Sequence, residues 1–300
     1  MRGRRSSAAP ARRPAPARAS VEGTTRVVGI LGDPVDHSLS PRMHNAAYAE
    51  LGLDFVYVPF RASSRGLRDA VRAMKTLGIV GFNVTVPYKE AVVRLVDRLT
   101  DTASAIGAVN TVYREGDDIV GDNTDAEGFH RALLAHDFRS RAKRALVIGA
   151  GGSARAIVHA LLAHDAAEIV LANRTVAKAR KLARHFESGR RLRAAGLEVL
   201  GDADFLASRH LVINCTPVGL HGGSFLPYRP EKTSAGCVHF DLAYGGTLTP
   251  FLRLAHQARR PVIDGRHMLV HQGAIAFRRF TGRTAPVGVM LAAVGVPPLV

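Results

Sequence analysis

One stretch limits the fold more than any other. From Ala145 the chain runs Ala-Leu-Val-Ile, then Gly149-Ala150-Gly151-Gly152-Ser153-Ala154, before a helical pattern resumes to Ala163. A short apolar run stopped by glycines predicts a buried strand, Ala145–Ile148, feeding a helix, Ser153–Ala163. Bare backbone amides at a helix N-terminus, with the positive end of the helix dipole behind them, make a seat for a pyrophosphate. The spelling is G-x-G-G-x-A rather than the full G-x-G-x-x-G, so a tight turn without a ligand is the alternative.

The next predicted strand, Glu168–Ala172, ends at Asn173-Arg174-Thr175. An enzyme using NAD puts an acid there to hold the ribose hydroxyls. Here the acid is absent. Arg174, with Lys178 one helical turn further, suits the extra phosphate of NADP, and Thr175 suits a helix cap. Two ordinary surface cations would read the same way.

Strands and helices alternate through most of the chain. Predicted strands are Arg26–Gly32, Phe55–Phe60, Gly81–Pro87, Leu211–Asn214, Val238–Leu242 and Pro261–Ile263. Predicted helices are Pro41–Leu51 with Ser40 as N-cap, Arg65–Leu77, 126–136, Val176–Phe186 and about 267–280. Ala108–Tyr113 and Asp118–Val120 flank Gly116 as a hairpin. Two alternating series imply an α/β fold of two domains with parallel sheets covered on both faces. Residues 1–25 are rich in Arg, Ala and Pro, and are expected to be a disordered tail. Its arginines also resemble a transit peptide, although prolines interrupt any helix.

The formal net charge is +16. Six arginines and no acid fall in residues 1–21, which leaves +10 for residues 22–300, scattered among carboxylates. No basic patch is interleaved with aromatics, so nucleic acid is not the expected partner. The field favours anionic small molecules. No apolar run approaches the roughly 20 residues needed to cross a bilayer. Cys215 and Cys237 form neither a C-x-x-C pair nor a ligand cluster, so reduced thiols and no metal are expected.

Three further segments carry polar side chains at strand ends. Ser38 and Ser40, two apart beyond the first strand, can present both hydroxyls to one side, unless Ser40 only caps its helix. Asn83-Val84-Thr85-Val86-Pro87-Tyr88-Lys89 runs off a strand toward a predicted helix start. A lysine there can exchange protons, or can be an exposed surface lysine. Gly107-Ala108-Val109-Asn110-Thr111 is followed by Asp122-Asn123-Thr124-Asp125. Asp125 is either a helix cap or a functional acid, and Asn110 is either a ligand or a structural amide.

In this order the motifs resemble the shikimate dehydrogenase family, over residues 26–283. The resemblance extends to Asp241-Leu242-Ala243-Tyr244 and to Asp264-Gly265-Arg266-His267-Met268-Leu269-Val270-His271-Gln272. It implies an NADP-dependent oxidoreductase that interconverts 3-dehydroshikimate and shikimate. Lys89 would be the acid/base and Asp125 its partner. Ser38, Ser40, Thr85, Asn110, Tyr244 and Gln272 would bind substrate. Gly149, Ala150, Gly151, Gly152 and Ser153 would cradle the phosphates. Asn173, Arg174, Thr175 and Lys178 would hold the adenosine end, and Leu242 and Gly265 would lie near the nicotinamide.

The implied organisation is a substrate domain (26–125), a Rossmann-like NADP-binding domain (126–265) and a C-terminal helical segment (266–300) returning to the first. The expected setting is cytoplasmic, with a small-molecule substrate, neither nucleic acid nor membrane as partner, and a homodimer as one assembly. Arg266 and His267 replace a more usual small or apolar pair and are expected to alter the nicotinamide contacts. Cys215 replaces a common Ala. The rival readings are quinate or aminoshikimate dehydrogenase on the same scaffold, and a non-catalytic shikimate-sensing regulator. The regulator would be expected to lose Lys89 or Asp125, or to add a DNA-binding domain.

Overall fold

A computed structural model describes residues 21–186, 189–219, 223–245 and 247–296. Most of the expected tail, residues 1–20, lies outside the described residues. Its last residues, 21–25, join the body: Thr24 and Thr25 donate to the Asp54 carboxylate at 2.6 and 2.5 Å.

The first half contains β1 (Arg26–Gly32), α1 (Ser40–Glu50), β2 (Phe55–Arg61), α2 (Leu67–Thr76) and β3 (Gly81–Val84). Then come β4 (Arg98–Leu99), α3 (Asp101–Ile106), β5 (Thr111–Glu115), β6 (Asp118–Asp122) and α4 (Asp125–Leu134). Its sheet has the order β2-β1-β3-β5-β6-β4. β1 runs parallel to β2 and β3. The β5–β6 hairpin pairs antiparallel with β3, so this sheet is mixed. β3 and β5 meet antiparallel across a connection that contains β4 and α3, so the parallel series around β1 stops at β3, and β4 closes the far edge parallel to β6.

The second half contains β7 (Arg144–Ile148), α5 (Gly152–Ala163), β8 (Glu168–Ala172), α6 (Val176–His185) and β9 (Leu192–Ala195). These are followed by α7 (Ala203–Ala207), β10 (Leu211–Asn214), β11 (Val238–Asp241), α8 (Pro250–Gln257) and β12 (Val262–Asp264). The sheet order is β12-β11-β10-β7-β8-β9, and every pair is parallel. The strand order reverses between β7 and β10. Open α/β sheets bind ligands at such a point, beyond the carboxyl ends of the strands. The loops after β7 and β10 therefore face the crevice.

The last helices, α9 (Gly265–Thr281) and α10 (Val287–Ala293), return to the first sheet. Phe277 and Phe280 of α9 and Met290 of α10 share a core with Val28, Tyr48 and Tyr57. Phe277 is fully buried, with its ring 5.2 Å from that of Tyr48. Truncating such a ring costs about 3–5 kcal/mol, so α9 is fixed firmly enough to carry site residues. α9 also packs closely on α4: a Cβ on Gly128 would stand 2.5 Å from that of Gln272. That approach sets the start of α4, Asp125, beside Gln272.

Candidate active site

A cleft of about 340 Å³ lies between the two halves. Ser38, Ser40, Thr85, Lys89, Asn110 and Asp125 line it from the first half, Ser153, Leu242 and Tyr244 from the second, and Gly265 and Gln272 from α9. Residues from six separate motifs thus meet in one place.

Lys89 and Asp125 form its charged centre. Lys89 Nζ donates to Asp125 Oδ2 at 2.7 Å and to Ser153 Oγ at 3.2 Å. Their side chains are only 13% and 5% exposed, so water screens the pair weakly. Asp125 is the first residue of α4, but its carboxylate does not cap the helix. It turns toward Lys89, and Oδ1 accepts from Asn110 Nδ2 at 2.8 Å. Asn110 also donates to Gln272 Oε1 at 3.1 Å, and its Oδ1 accepts from the Thr124 amide at 2.8 Å. It is thus a structural amide and a wall of the cleft at once.

Two expectations about local structure are corrected. Lys89 does not open a helix: it sits in a turn, and only a single 3-10 turn, Val92–Arg94, follows. Its environment comes from Asp125 and Ser153, at the starts of α4 and α5, not from a helix of its own. Ser40 does not cap α1. The N-cap is Leu39, which makes no side-chain cap bond. Ser40 is 2% exposed and faces the Tyr57 hydroxyl, while its amide donates to Ser38 Oγ at 3.2 Å. Burial raises the Tyr244 phenol above its ordinary pKa, opposed by hydrogen bonds to the Leu39 backbone and Ser38. The phenol stays a neutral donor beside Ser38.

Asn83 carries no role in the sequence pattern, yet it lines the cleft and accepts the Tyr57 hydroxyl at 2.8 Å. Thr216 and Pro217 line the cleft without any signal in the sequence; they follow β10 at the strand-order reversal. Cys215 lines the cleft too, and burial pushes its thiol up, so it stays protonated and inert. Both cysteines are free.

The glycine loop continues the cleft into the second half. The Gly149 amide donates to Ala172 O at 2.8 Å, which sets the loop beside the end of β8. Gly149 has φ +109°, a conformation few other residues adopt. A Cβ on Gly151 would meet nothing within 4 Å, so open space lies where a phosphate would sit. At the β8–α6 corner, Asn173 Nδ2 donates to Thr175 O at 2.9 Å. Thr175 is the N-cap of α6 but makes no side-chain cap bond. Arg174 and Lys178 are exposed, and neither has an ion pair among the described residues. The corner has two available cations and no acid, which fits a phosphorylated dinucleotide.

Arg266 and His267 are not among the residues that line the cleft. Arg266 pairs with Asp264 at 2.9 Å and donates to Val294 O at 3.3 Å. His267 lies edge-on to His136, with ring centroids 4.4 Å apart. No group of three or more His, Cys, Asp or Glu suited to a metal ion occurs among the described residues. No helix among them is long and apolar enough to cross a membrane.

A parallel sheet with a dinucleotide loop, facing a buried lysine–carboxylate pair on a second α/β unit, defines a two-domain dinucleotide-dependent oxidoreductase. Residues 30–112 match the shikimate dehydrogenase substrate binding domain, 132–218 the shikimate / quinate 5-dehydrogenase family, and 265–294 the shikimate 5'-dehydrogenase C-terminal domain. The chain belongs to the shikimate dehydrogenase family. It is 44% identical over 280 residues to a shikimate dehydrogenase (NADP(+)) of Methanopyrus kandleri, covering 92% of this chain and 97% of that protein. A crystal structure of a shikimate dehydrogenase in complex with NADP+ superposes with a TM-score of 0.86 at 36% identity, covering 93% and 98% of the two chains. The Thermus thermophilus shikimate 5-dehydrogenase, in complex with NADP(H) and shikimate, gives 0.81 at 36% identity, covering 90% and 98%.

Proposed function

We propose that this chain is an NADP-dependent shikimate dehydrogenase, reversibly reducing the C3 ketone of 3-dehydroshikimate. The observation that carries the reading is the Lys89–Asp125 pair, 2.7 Å apart and nearly enclosed, facing a cleft of short hydroxyl and amide side chains. NADPH, when bound, supplies the hydride. Lys89 Nζ gives a proton to the oxygen that becomes the C3 hydroxyl. Asp125 holds the ammonium in place and balances its charge. In the oxidative direction the same amine takes the proton back.

Ser38, Ser40, Thr85, Asn110, Tyr244 and Gln272 are assigned to the substrate. Hydroxyl and amide donors suit a carboxylate flanked by a polyol ring, and the neutral Tyr244 phenol adds a donor. Gly149, Ala150, Gly151, Gly152 and Ser153 would hold the cofactor phosphates. Asn173, Arg174, Thr175 and Lys178 would hold the adenosine end, with Leu242 and Gly265 at the nicotinamide. Residues 26–125 with 266–300 form the substrate domain in this reading, and 126–265 the cofactor domain. A cytoplasmic homodimer completes the proposal.

The family also embraces quinate dehydrogenases, so substrate and cofactor must be separated by experiment. Initial rates with shikimate or quinate, each with NADP+ or NAD+, give four kcat/KM values. Shikimate with NADP+ should exceed the other three by at least tenfold. A higher value for quinate would replace the substrate, and inactivity in all four would favour the sensing role.

A further inference from the structure

The turn that opens α5 grips the first half of the chain as well as forming a phosphate seat. Gly152 lies against the stem of Lys89: a Cβ there would stand 3.0 Å from Lys89 Cβ and 3.6 Å from its Cδ. Ser153 Oγ is 3.2 Å from Lys89 Nζ. Arg155 Nε is 3.4 Å from the carboxylate of Glu90, the neighbour of Lys89. The Arg155 guanidinium also donates to Ile106 O at 3.3 Å, and its side chain is only 11% exposed. Three residues of one helical turn therefore meet the Lys89 stem, its amine and the carboxylate of its neighbour Glu90.

Ordinary packing between domains would not need a hydroxyl aimed at an amine. An ammonium has three hydrogens. Asp125 fixes one from the first half and Ser153 a second from the other half, which leaves the third for the cleft.

We propose that Gly152, Ser153 and Arg155 are positioning residues for Lys89, so that the turn seating the cofactor phosphates also sets the proton donor. This rests on the reading of Lys89 as the acid/base. It adds that the glycine at 152 is required by the lysine stem, and that the Ser153 hydroxyl serves the amine directly.

The test compares wild type, Ser153→Ala and Ser153→Thr. One measurement is kcat at saturating shikimate and NADP+, which removes any weakening of cofactor affinity. The other is the rate at which a small acylating reagent labels the Lys89 amine with NADPH bound, read by mass spectrometry. Labelling needs no turnover. If wild type does not oxidise shikimate, the substrate assignment fails while labelling still decides this proposal.

Ser153→Ala should lower kcat roughly ten- to a hundredfold, the worth of a hydrogen bond to a charged group. It should also label Lys89 several-fold faster. Ser153→Thr keeps the hydroxyl and should recover most of both. Unchanged labelling in Ser153→Ala overturns the proposal. So does wild-type kcat in that variant of an active enzyme, or a loss that threonine does not rescue. Arg155→Met removes the brace behind Glu90 without touching the loop, and should move labelling in the same direction; no change there removes Arg155 from the set.

Discussion

Arg174→Ala is expected to erase most of the preference for NADP(H) over NAD(H). Arg174 stands two residues beyond β8 and is exposed, as is Lys178 on the first turn of α6. The acid that would repel a 2′-phosphate is absent, and the Asn173 amide is held by Thr175 O at 2.9 Å. A charge-assisted hydrogen bond contributes about 1.5–3 kcal/mol, whereas an exposed ion pair contributes about 0.2–1 kcal/mol. A guanidinium can meet a phosphate through two such bonds, but at an open corner water competes for both. About 1–2 kcal/mol is therefore expected, or roughly 5–30-fold in affinity. Lys178 remains, so a smaller preference for NADP should survive. The assay is the ratio of kcat/KM for NADP+ to that for NAD+, at saturating shikimate, in wild type and variant. High salt should shrink the wild-type ratio more than the variant's, because only Lys178 is left there to be screened. An unchanged ratio would show that Arg174 does not meet the 2′-phosphate. An equal loss with both cofactors would show that Arg174 meets the adenosine and not its phosphate.

Two further outcomes follow from the buried acids and their partners. Lys89→Ala should lower kcat about 10²–10⁴-fold with the shikimate KM changed only a few-fold, read by steady-state kinetics; near-normal kcat would remove Lys89 from the mechanism. Asp241 lies fully buried at the end of β11, accepting from Asn214 at 2.9 Å and Thr249 at 2.5 Å. Burial raises its carboxyl to about 7, against 3.8 ordinarily, so the folded chain binds a proton that the unfolded chain releases between those values. Its stabilising contribution is complete below pH 3.8 and is lost as pH rises through about 7. Asp241→Asn should remove a loss on the order of 4 kcal/mol and melt higher than wild type at alkaline pH. The buried imidazoles His44, His239 and His267, lowered to about 3, 4 and 4, act in the opposite sense. The measurement is therefore the difference in melting temperature between variant and wild type across the pH range, and parallel curves would sink the assignment.

The alternation of strands and helices is legible because each element carries its own punctuation. β1, β8 and β10 end where apolar runs meet glycine or asparagine. The elements that escape a sequence reading are mostly short ones. β4 has two residues and β9 four, too few for a period to register. α8 is different: Thr249 caps it and Pro250 opens it, the same signature that misleads at Ser40 and Pro41. Local chemistry cannot tell a serine that caps a helix from one that is buried just inside its start, as Ser40 is.

The site is legible as pieces and not as a whole. Lys89 lies 36 residues from Asp125 and 64 from Ser153, and Asn110 lies 162 from Gln272. No periodicity spans such distances; only the path of the sheets brings the pieces together. The resemblance to a family supplies what spacing cannot. Arg266, where the chain departs from the family pattern, ties α9 to the end of α10. Gly152 shows why a motif underdetermines its own meaning. A glycine in a phosphate loop says that something approaches the backbone closely, and the motif suggests that this is a ligand. At Gly151 the space is open, as a ligand would need, whereas at Gly152 the neighbour is already present, and it is the stem of Lys89. The loop's second function is therefore written in contacts between residues far apart in the chain, where no local pattern could announce it.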